Sequence, residues 1–243
     1  EMLRQPDATP LMRLSVDMLD AVFLLVIARH ERCLQVTTGG LSFAENMEVH
    51  IADSFLEAYS AMASLKLHEF DTANRFLEGL TATLDTMKPL PSGLFHLITG
   101  CEALYRRDLV KAAFHSKECL RQIEEAGFTT HLPSAHILAA HVRHALNEEK
   151  DAARHMMQAR RIGYEILNFL GVYLSYLTEA YFHLHHDNDA AAIAPLKKGL
   201  QIARENGMVG TLLWLPDLFE KVAARALKEG IEVDYVREFI RRN

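Results

Sequence analysis

Turn formers are scarce in this chain. Of 243 residues, 12 are glycine and 7 are proline, which argues against an all-β sandwich or barrel, whose short strands need many Gly- and Pro-marked turns. Cysteine is scarcer still. Three stand far apart, at 33, 101 and 119, a set that fits a reducing cytosol and no disulfide framework. Long apolar runs are missing as well. The longest near the N-terminus, Ala21 to Ala28, falls well short of the ~20 residues of a membrane span. Asp17 and Asp20 precede it and no small-residue cleavage site follows, so no signal peptide is expected. Basic charge is in deficit: 26 Lys and Arg against 32 Asp and Glu leave −6. A surface that tracks phosphates, and with it direct contact to nucleic acid, is not expected. Arg160-Arg161 and Arg241-Arg242 are too short to form a basic patch.

Catalytic motifs are absent too. There is no Gly-x-x-x-x-Gly-Lys-Ser/Thr loop for a nucleoside triphosphate and no Gly-x-Ser-x-Gly elbow, and none of the cysteines lies in a nucleophile motif. The acidic doublets Glu124-Glu125 and Glu148-Glu149 point to different helix faces and read as solvated surface. No enzyme is expected, and no cofactor.

What the chain does have is internal repetition. Four segments share an apolar helix, a polar break carrying an acid, and a second helix opening on alanine, with Asp71, Asp108, Asp151 and Asp189 as the acids. Ala73, Ala112, Ala153 and Ala191 mark the units and give a drifting period near 39. Such a period fits paired-helix solenoid units somewhat longer than a tetratricopeptide repeat. Each acid is placed to cap the second helix and meet its positive end, and each alanine lets two helices approach closely.

The spacing predicts helix pairs at 43–69 with 72–88, 92–107 with 108–126, 133–147 with 149–166, and 172–186 with 189–206. Breakers fall between them: Pro89 and Pro91, Gly127 with Pro133, Gly171, then Gly207 and Gly210. One long amphipathic helix over about 9–36 precedes the pairs, with Leu14, Met18, Ala21, Leu25 and Ala28 on one stripe, and Gly39-Gly40 reads as a turn. Helices over 212–229 and 233–242 close the chain, the last folding Val233, Val236, Phe239 and Ile240 back on the rest. The expected fold is all-α: a right-handed superhelical solenoid of antiparallel helix pairs, about twelve helices in all. It forms one domain over 1–243, with an N-terminal helix and turn at 9–42, repeats at 43–210 and capping helices at 211–243. The chain is expected to be a piece of a longer multidomain protein.

Such stacking leaves a concave side lined by the first helix of each pair, where repeat proteins bind peptides, proteins or small effectors. The first helix of the fourth pair is the most site-like, with Tyr173, Tyr176 and Glu179 at three-residue steps. Trp214, the only tryptophan, heads the next helix with Asp217 three positions on. Aromatic faces beside a carboxylate suit a sugar-like or amphipathic small ligand, although such rings also serve as ordinary packing. Tyr105, His141 and His144 lie on first helices and complete the candidate groove set.

Histidines number 13, and two groupings raise the question of metal. His141-Val-Arg-His144 and His183-Leu-His185-His186 each offer imidazoles, but neither is the His-Glu-x-x-His arrangement and Arg143 would oppose a cation. Histidine is also favoured at a helix C-terminus. Structural or solvent-facing roles are expected for both, and no metal site. A metal-dependent hydrolase built on these groups is the remote alternative.

The C-terminal stretch from Ala223 through Gly230 and Tyr235 to Arg242 resembles the segment that closes the helical-repeat region in bacterial regulators of the maltose-activator (MalT) type. Arg107-Asp108-Leu109 followed by Ala112-Ala113 is similar to that family's repeat signature, and the resemblance covers about 45–243. It implies a tetratricopeptide-like sensor domain of a STAND/LuxR-type transcriptional regulator. In such proteins the repeat region binds an inducer, which releases an autoinhibited ATPase to oligomerise and activate transcription. The ATPase and DNA-binding modules would lie outside this chain, and self-association would belong to the longer protein. The expected function is therefore non-catalytic effector sensing in the cytoplasm, without membrane contact. The alternative is a scaffold that binds a partner peptide or helix.

Overall fold

Caps and left-handed residues set where each helix starts and stops in the computed structural model, which describes residues 9–82, 84 and 88–242. The elements in chain order are α1 (Pro10–Val26), α2 (His30–Met47), α3 (Asp53–Lys66), α4 (Phe70–Ala82), α5 (Pro89–Tyr105) and α6 (Leu109–Glu125). They continue with α7 (Leu132–Ala145), α8 (Glu149–Glu165), α9 (Phe169–His185), α10 (Asp189–Glu205), α11 (Pro216–Lys228) and α12 (Val233–Arg242). The chain is all-α: twelve α-helices in adjacent pairs and no strand among the described residues. No helix among them is long and apolar enough to cross a membrane. This is the pairwise packing expected of a helical-repeat solenoid. The first helices α3, α5, α7 and α9 each touch the next and form the inner layer.

The repeat is more regular than the alanine markers imply. Ala73, Ala112, Ala152 and Ala192 are the buried ones, and their spacing is almost constant. Ala153 and Ala191 are their less buried neighbours, so the apparent drift reflects a choice within Ala-Ala runs. The turns keep the same beat. His68, Arg107, Asn147 and Asp187 all take left-handed φ, between 55° and 61°, and Gly127, Leu167 and Gly207 do so at the other turn, between 58° and 66°. After each residue of the first set, the next N–H reaches back along the helix, as in Asp108 to the Ala103 carbonyl at 2.9 Å and Glu148 to Arg143 at 2.9 Å. That bond satisfies carbonyls left open at the helix end.

Of the expected acid caps, Asp108 is one, its carboxylate accepting from the Lys111 N–H at 3.0 Å. Asp71, Asp151 and Asp189 lie inside the first turn instead, where they still face the positive end of the helix. Asn168 and Asn188 cap α9 and α10.

The N-terminal expectations need correction. The single helix over 9–36 is two helices, because Ala28 adopts a left-handed φ of 52° and the Arg29 N–H closes the turn on the Leu24 carbonyl at 2.8 Å. Gly39-Gly40 is no turn but lies inside α2, where Gly40 packs against Leu56 and Asp17. The first repeat helix starts at Asp53 rather than 43, and α4 ends at Ala82. Its expected extension to 88 crosses residues 83 and 85–87, which lie outside the described residues. At the other end, Pro216 sets the start of α11 at its first helical position. Val236 and Phe239 are buried as expected, whereas Ile240 is half exposed.

The inner side is occupied by the chain itself. Residues 206–215 link α10 to α11 and run across the first helices. The N–H groups of Val209 and Gly210 donate to the Val26 carbonyl at 3.2 and 2.7 Å. Tyr173 Oη of α9 donates to the Gly210 carbonyl at 2.6 Å, and Lys66 Nζ of α3 donates to the Leu213 carbonyl at 3.1 Å. Thr211, Leu213 and Trp214 are buried. Arg242 at the far end reaches the Ile27 carbonyl at 3.4 Å, so the last helix and the first are tied together. The concave trough is thus filled by this return segment, not open.

Candidate functional site

Beside the return segment a cavity of about 130 Å³ remains, at the C-terminal ends of α5, α7 and α9. The left-handed turns after α5 and α7 hold Arg107 and Asn147 at its rim. Its walls repeat: Cys101, His141 and Tyr181 line it from equivalent positions in successive units, as do Tyr105, Ala145 and His185. Trp214, Pro216 and Asp217 close the remaining side.

Five of the eight sequence candidates meet here: Tyr105, His141, His144, Trp214 and Asp217. The Tyr105 ring lies 4.6 Å from Trp214, centroid to centroid, and Phe70 meets the indole at 5.8 Å. Asp217 pairs with Arg107 at 3.1 Å, an exposed bridge of the kind worth below about 1 kcal/mol. Trp214 does not head a helix; it lies near the end of the return segment, just before α11.

The other three candidates go elsewhere. Tyr173 is buried and holds the return segment through Gly210. Tyr176 lies under the Arg160 guanidinium at 3.8 Å, and Glu179 pairs with the same arginine, so both clamp α8 to α9. Their three-residue spacing puts them on a face turned toward the second helix of the preceding pair.

Burial controls the protonation of the cavity wall. His141 is 5% exposed, and desolvation, helped by His144, pushes its pKa down to about 3. It is a neutral ring at pH 7, with Nε2 3.2 Å from Thr178 Oγ1. Burial also pushes the Cys101 thiol up to about 12, against a backbone hydrogen bond from Trp214 and the charge of Lys66. No thiolate nucleophile is available there at neutral pH. Tyr181, raised by burial and by Asp217, keeps its phenol proton. His144 stacks on Phe182 at 4.1 Å and 17°, with Nδ1 3.1 Å from Glu149 Oε2.

The wall is built for shape and hydrogen bonding, and its apolar and polar parts are mixed. A void of about 150 Å³ accepts a benzene-sized molecule, so this cavity suits a ligand of that scale. Arg107 and Asp217 at the rim offer one charge of each sign.

Sequence reasoning missed Cys101, Arg107, Tyr181 and His185. A signal was present: shifting the chain on itself by one repeat aligns Cys101 with His141 and Tyr181.

No known family model matches this chain. No curated protein matches it either. The functional reading therefore rests on the cavity and on the sequence resemblance.

Proposed function

We propose that this chain is an effector-sensing helical-repeat domain of a cytoplasmic transcriptional regulator of the MalT-like kind, and that it binds a small, partly polar ring compound without transforming it. The observation that carries this reading is the convergence of Tyr105, His141, His144, Trp214 and Asp217 on one cavity walled partly by the return segment. Because that segment also contacts α1, a ligand that packs against Trp214 acts on the same strap that joins the two ends of the solenoid. Occupancy would thereby change how readily the ends part, which is the differential interaction a switch requires. The neutral His141 and protonated Cys101 support binding over chemistry. An ATPase and a DNA-binding module beyond this chain belong to the same proposal.

The test is a thermal-shift screen of sugars and small aromatic and heterocyclic metabolites. A ligand at 100 times its Kd adds about 2.7 kcal/mol of stability, and its arrival should change the emission of Trp214, the only tryptophan. Tyr105→Ala and Asp217→Asn should lose the shift. A screen with no hit, or hits unaffected by both variants, overturns the reading.

One feature favours the scaffold alternative. A mostly apolar groove of about 440 Å³ runs along α11 and α12 to the return segment and the end of α3, lined by Trp214, Leu215, Phe219, Leu227, Phe239 and Ile240, with Lys66 and Glu220 as its charged residues. Tight binding of a helical peptide, lost in Ile240→Asp, together with a silent small-molecule screen would favour that function.

A further inference from the structure

The two histidine groupings, one repeat apart in the sequence, meet in space. His144 lies near the end of α7, His185 ends α9 and His186 follows it. One ring nitrogen from each lies within 4.8 Å of the others. Ring centroids are 4.9 Å apart for His144 and His185, and 5.1 Å for His144 and His186.

Glu149, the first residue of α8, braces the group from behind. Its carboxylate lies 3.0 Å from His144 Nδ1 and 3.2 Å from His186 Nε2. A carboxylate facing Nδ1 keeps the His144 proton on that nitrogen and leaves Nε2 with a lone pair. That Nε2 is buried and has no hydrogen-bond partner, in a ring that is 7% exposed. A buried acceptor left unmet costs about 1–3 kcal/mol, and native structures retain few of them without an occupant. A histidine fixed by a carboxylate on one nitrogen, with the other nitrogen open, is the usual support of a metal ligand.

The local charges permit a cation. Arg143, the apparent obstacle in the sequence, turns to Glu148 at 2.6 Å. Arg107 is balanced by Asp217 at 3.1 Å, and Lys221 lies over the Tyr181 ring at 5.6 Å.

We propose that His144, His185 and His186 form a binding site for one divalent first-row transition-metal ion, with zinc as the best match and Glu149 as the group that orients the ligands. Zn–N bonds of about 2.0–2.1 Å in a tetrahedron place ligand nitrogens roughly 3.3 Å apart. His185 and His186 are exposed side chains at a helix end, and rotation of their rings supplies that contraction. Three imidazoles leave a fourth position, as at zinc sites that take water or a ligand. His144 and His185 also line the cavity. The metal site nevertheless stands without the effector reading.

The test is zinc titration of the untagged, chelator-treated full chain against a competing chromophoric chelator. The expected result is one zinc per chain, with affinity reduced at least tenfold in His185→Gln and in His186→Ala. Glu149→Gln should lose about 10- to 100-fold, the usual effect of removing an outer-shell partner. His183→Ala, on the same helix but outside the group, should bind as the parent does. His186 is half exposed, so its removal leaves the fold intact, which circular dichroism checks. Substoichiometric zinc, or stoichiometric zinc indifferent to both His185→Gln and His186→Ala, overturns the proposal. Effector-induced stabilisation measured in excess chelator reads the cavity separately, so either reading can fail alone.

Discussion

The helix pairs from α5 to α10 and the return segment at 206–215 are built on opposite principles. The pairs hold together by redundancy, with the same buried alanine and the same left-handed turn recurring in each unit. The return segment has no second copy. It is fixed by single contacts: Tyr173 to the Gly210 carbonyl, Lys66 to the Leu213 carbonyl, and two N–H groups on the Val26 carbonyl. A repeat tolerates damage because each unit repeats its neighbour's interactions, whereas a strap fails at one residue. That contrast predicts where substitutions are felt.

The largest effect falls on Gly210. A Cβ there would stand 2.2 Å from the Leu25 carbonyl oxygen and 3.0 Å from the Ala28 nitrogen, and backbone cannot step aside. Gly210→Ala should cost on the order of 3 kcal/mol, seen in urea unfolding, and should expose 206–215 to limited proteolysis. Gly39→Ala, with open space around its Cβ, gains the helix propensity of alanine instead. Equal losses for the two would erase the distinction between the strap and an open helix face.

Lys66 marks the second singular contact and should respond in the opposite direction. It is 8% exposed, and no carboxylate pairs with it among the described residues. Desolvation pushes its pKa down to about 8, with Cys101 working weakly the other way. Its folded pKa thus lies below the ordinary 10.5. The unfolded chain binds more protons between these values, so stability rises with pH from 8 to 10.5 and the full penalty applies below 8. Lys66→Met should therefore stabilise the chain at pH 7 by on the order of 2 kcal/mol, once the lost hydrogen bond to Leu213 is deducted. Its advantage over the parent should fade toward pH 10.5. A destabilised variant at pH 7 would mean the ammonium has a role in holding the strap that outweighs its burial.

The same contrast governs what the sequence makes legible. The repeating part can be read because it appears several times: four helix pairs, their turns and a total near twelve helices all follow from recurring alanine, acid and apolar steps. The N-terminal break at Ala28 cannot, since neither glycine nor proline marks it and a left-handed alanine has no sequence signature. Gly39-Gly40 misleads for the opposite reason, because glycine in α2 serves close packing against Leu56 and not a turn. The strap is invisible as well. Its last four residues, 212–215, read as the start of the helix expected over 212–229, and only the contacts of the segment with α1, α3 and α9 reveal its path. Tyr105, His141, His144 and Asp217 reach the cavity because the helix pattern places their helices there, whereas Trp214 reaches it from the strap, not from the helix expected for it. Tyr176 and Glu179 do not, since spacing gives a shared face without saying which neighbour that face meets.

Within the repeats, two histidine pairs share the pH response with His131 and His141, which burial also lowers. His96 and His115 bring their Nδ1 atoms to 2.8 Å, and His136 and His155 do the same at 3.0 Å in the next unit. Such a pair accommodates one shared proton between the rings but not two charges. Burial first, then the partner ring and a nearby cation, lowers His115 and His136 to about 4, and burial lowers His96 and His155 as well. Folded pKa values below the ordinary 6.5 mean that the unfolded chain takes up protons first. Stability is whole above pH 6.5 and should fall as the pH drops toward 4, by more than one proton's worth. Urea midpoints at pH 7, 5.5 and 4.5 check this, and the double variant His96→Leu/His115→Leu should flatten part of the slope. An unchanged slope would assign the acid response to residues outside the pairs.

The smallest effect tests how far the repeats are interchangeable. Gly127, Leu167 and Gly207 occupy the same left-handed turn, at φ of 66°, 58° and 64°, and only the middle unit places a Cβ there. A left-handed L-residue costs roughly 1–2 kcal/mol, while glycine gives back about 0.5–1 kcal/mol through its freer unfolded chain. Leu167 is 73% exposed, so its removal sacrifices little packing. Leu167→Gly should then stabilise the chain by about 0.5–1 kcal/mol, and Gly127→Ala should destabilise it by a similar amount. Equal and opposite shifts in the urea midpoint would show that one turn serves all units alike. A loss in Leu167→Gly would show instead that this leucine has contacts of its own, and that its turn has departed from the two glycine turns.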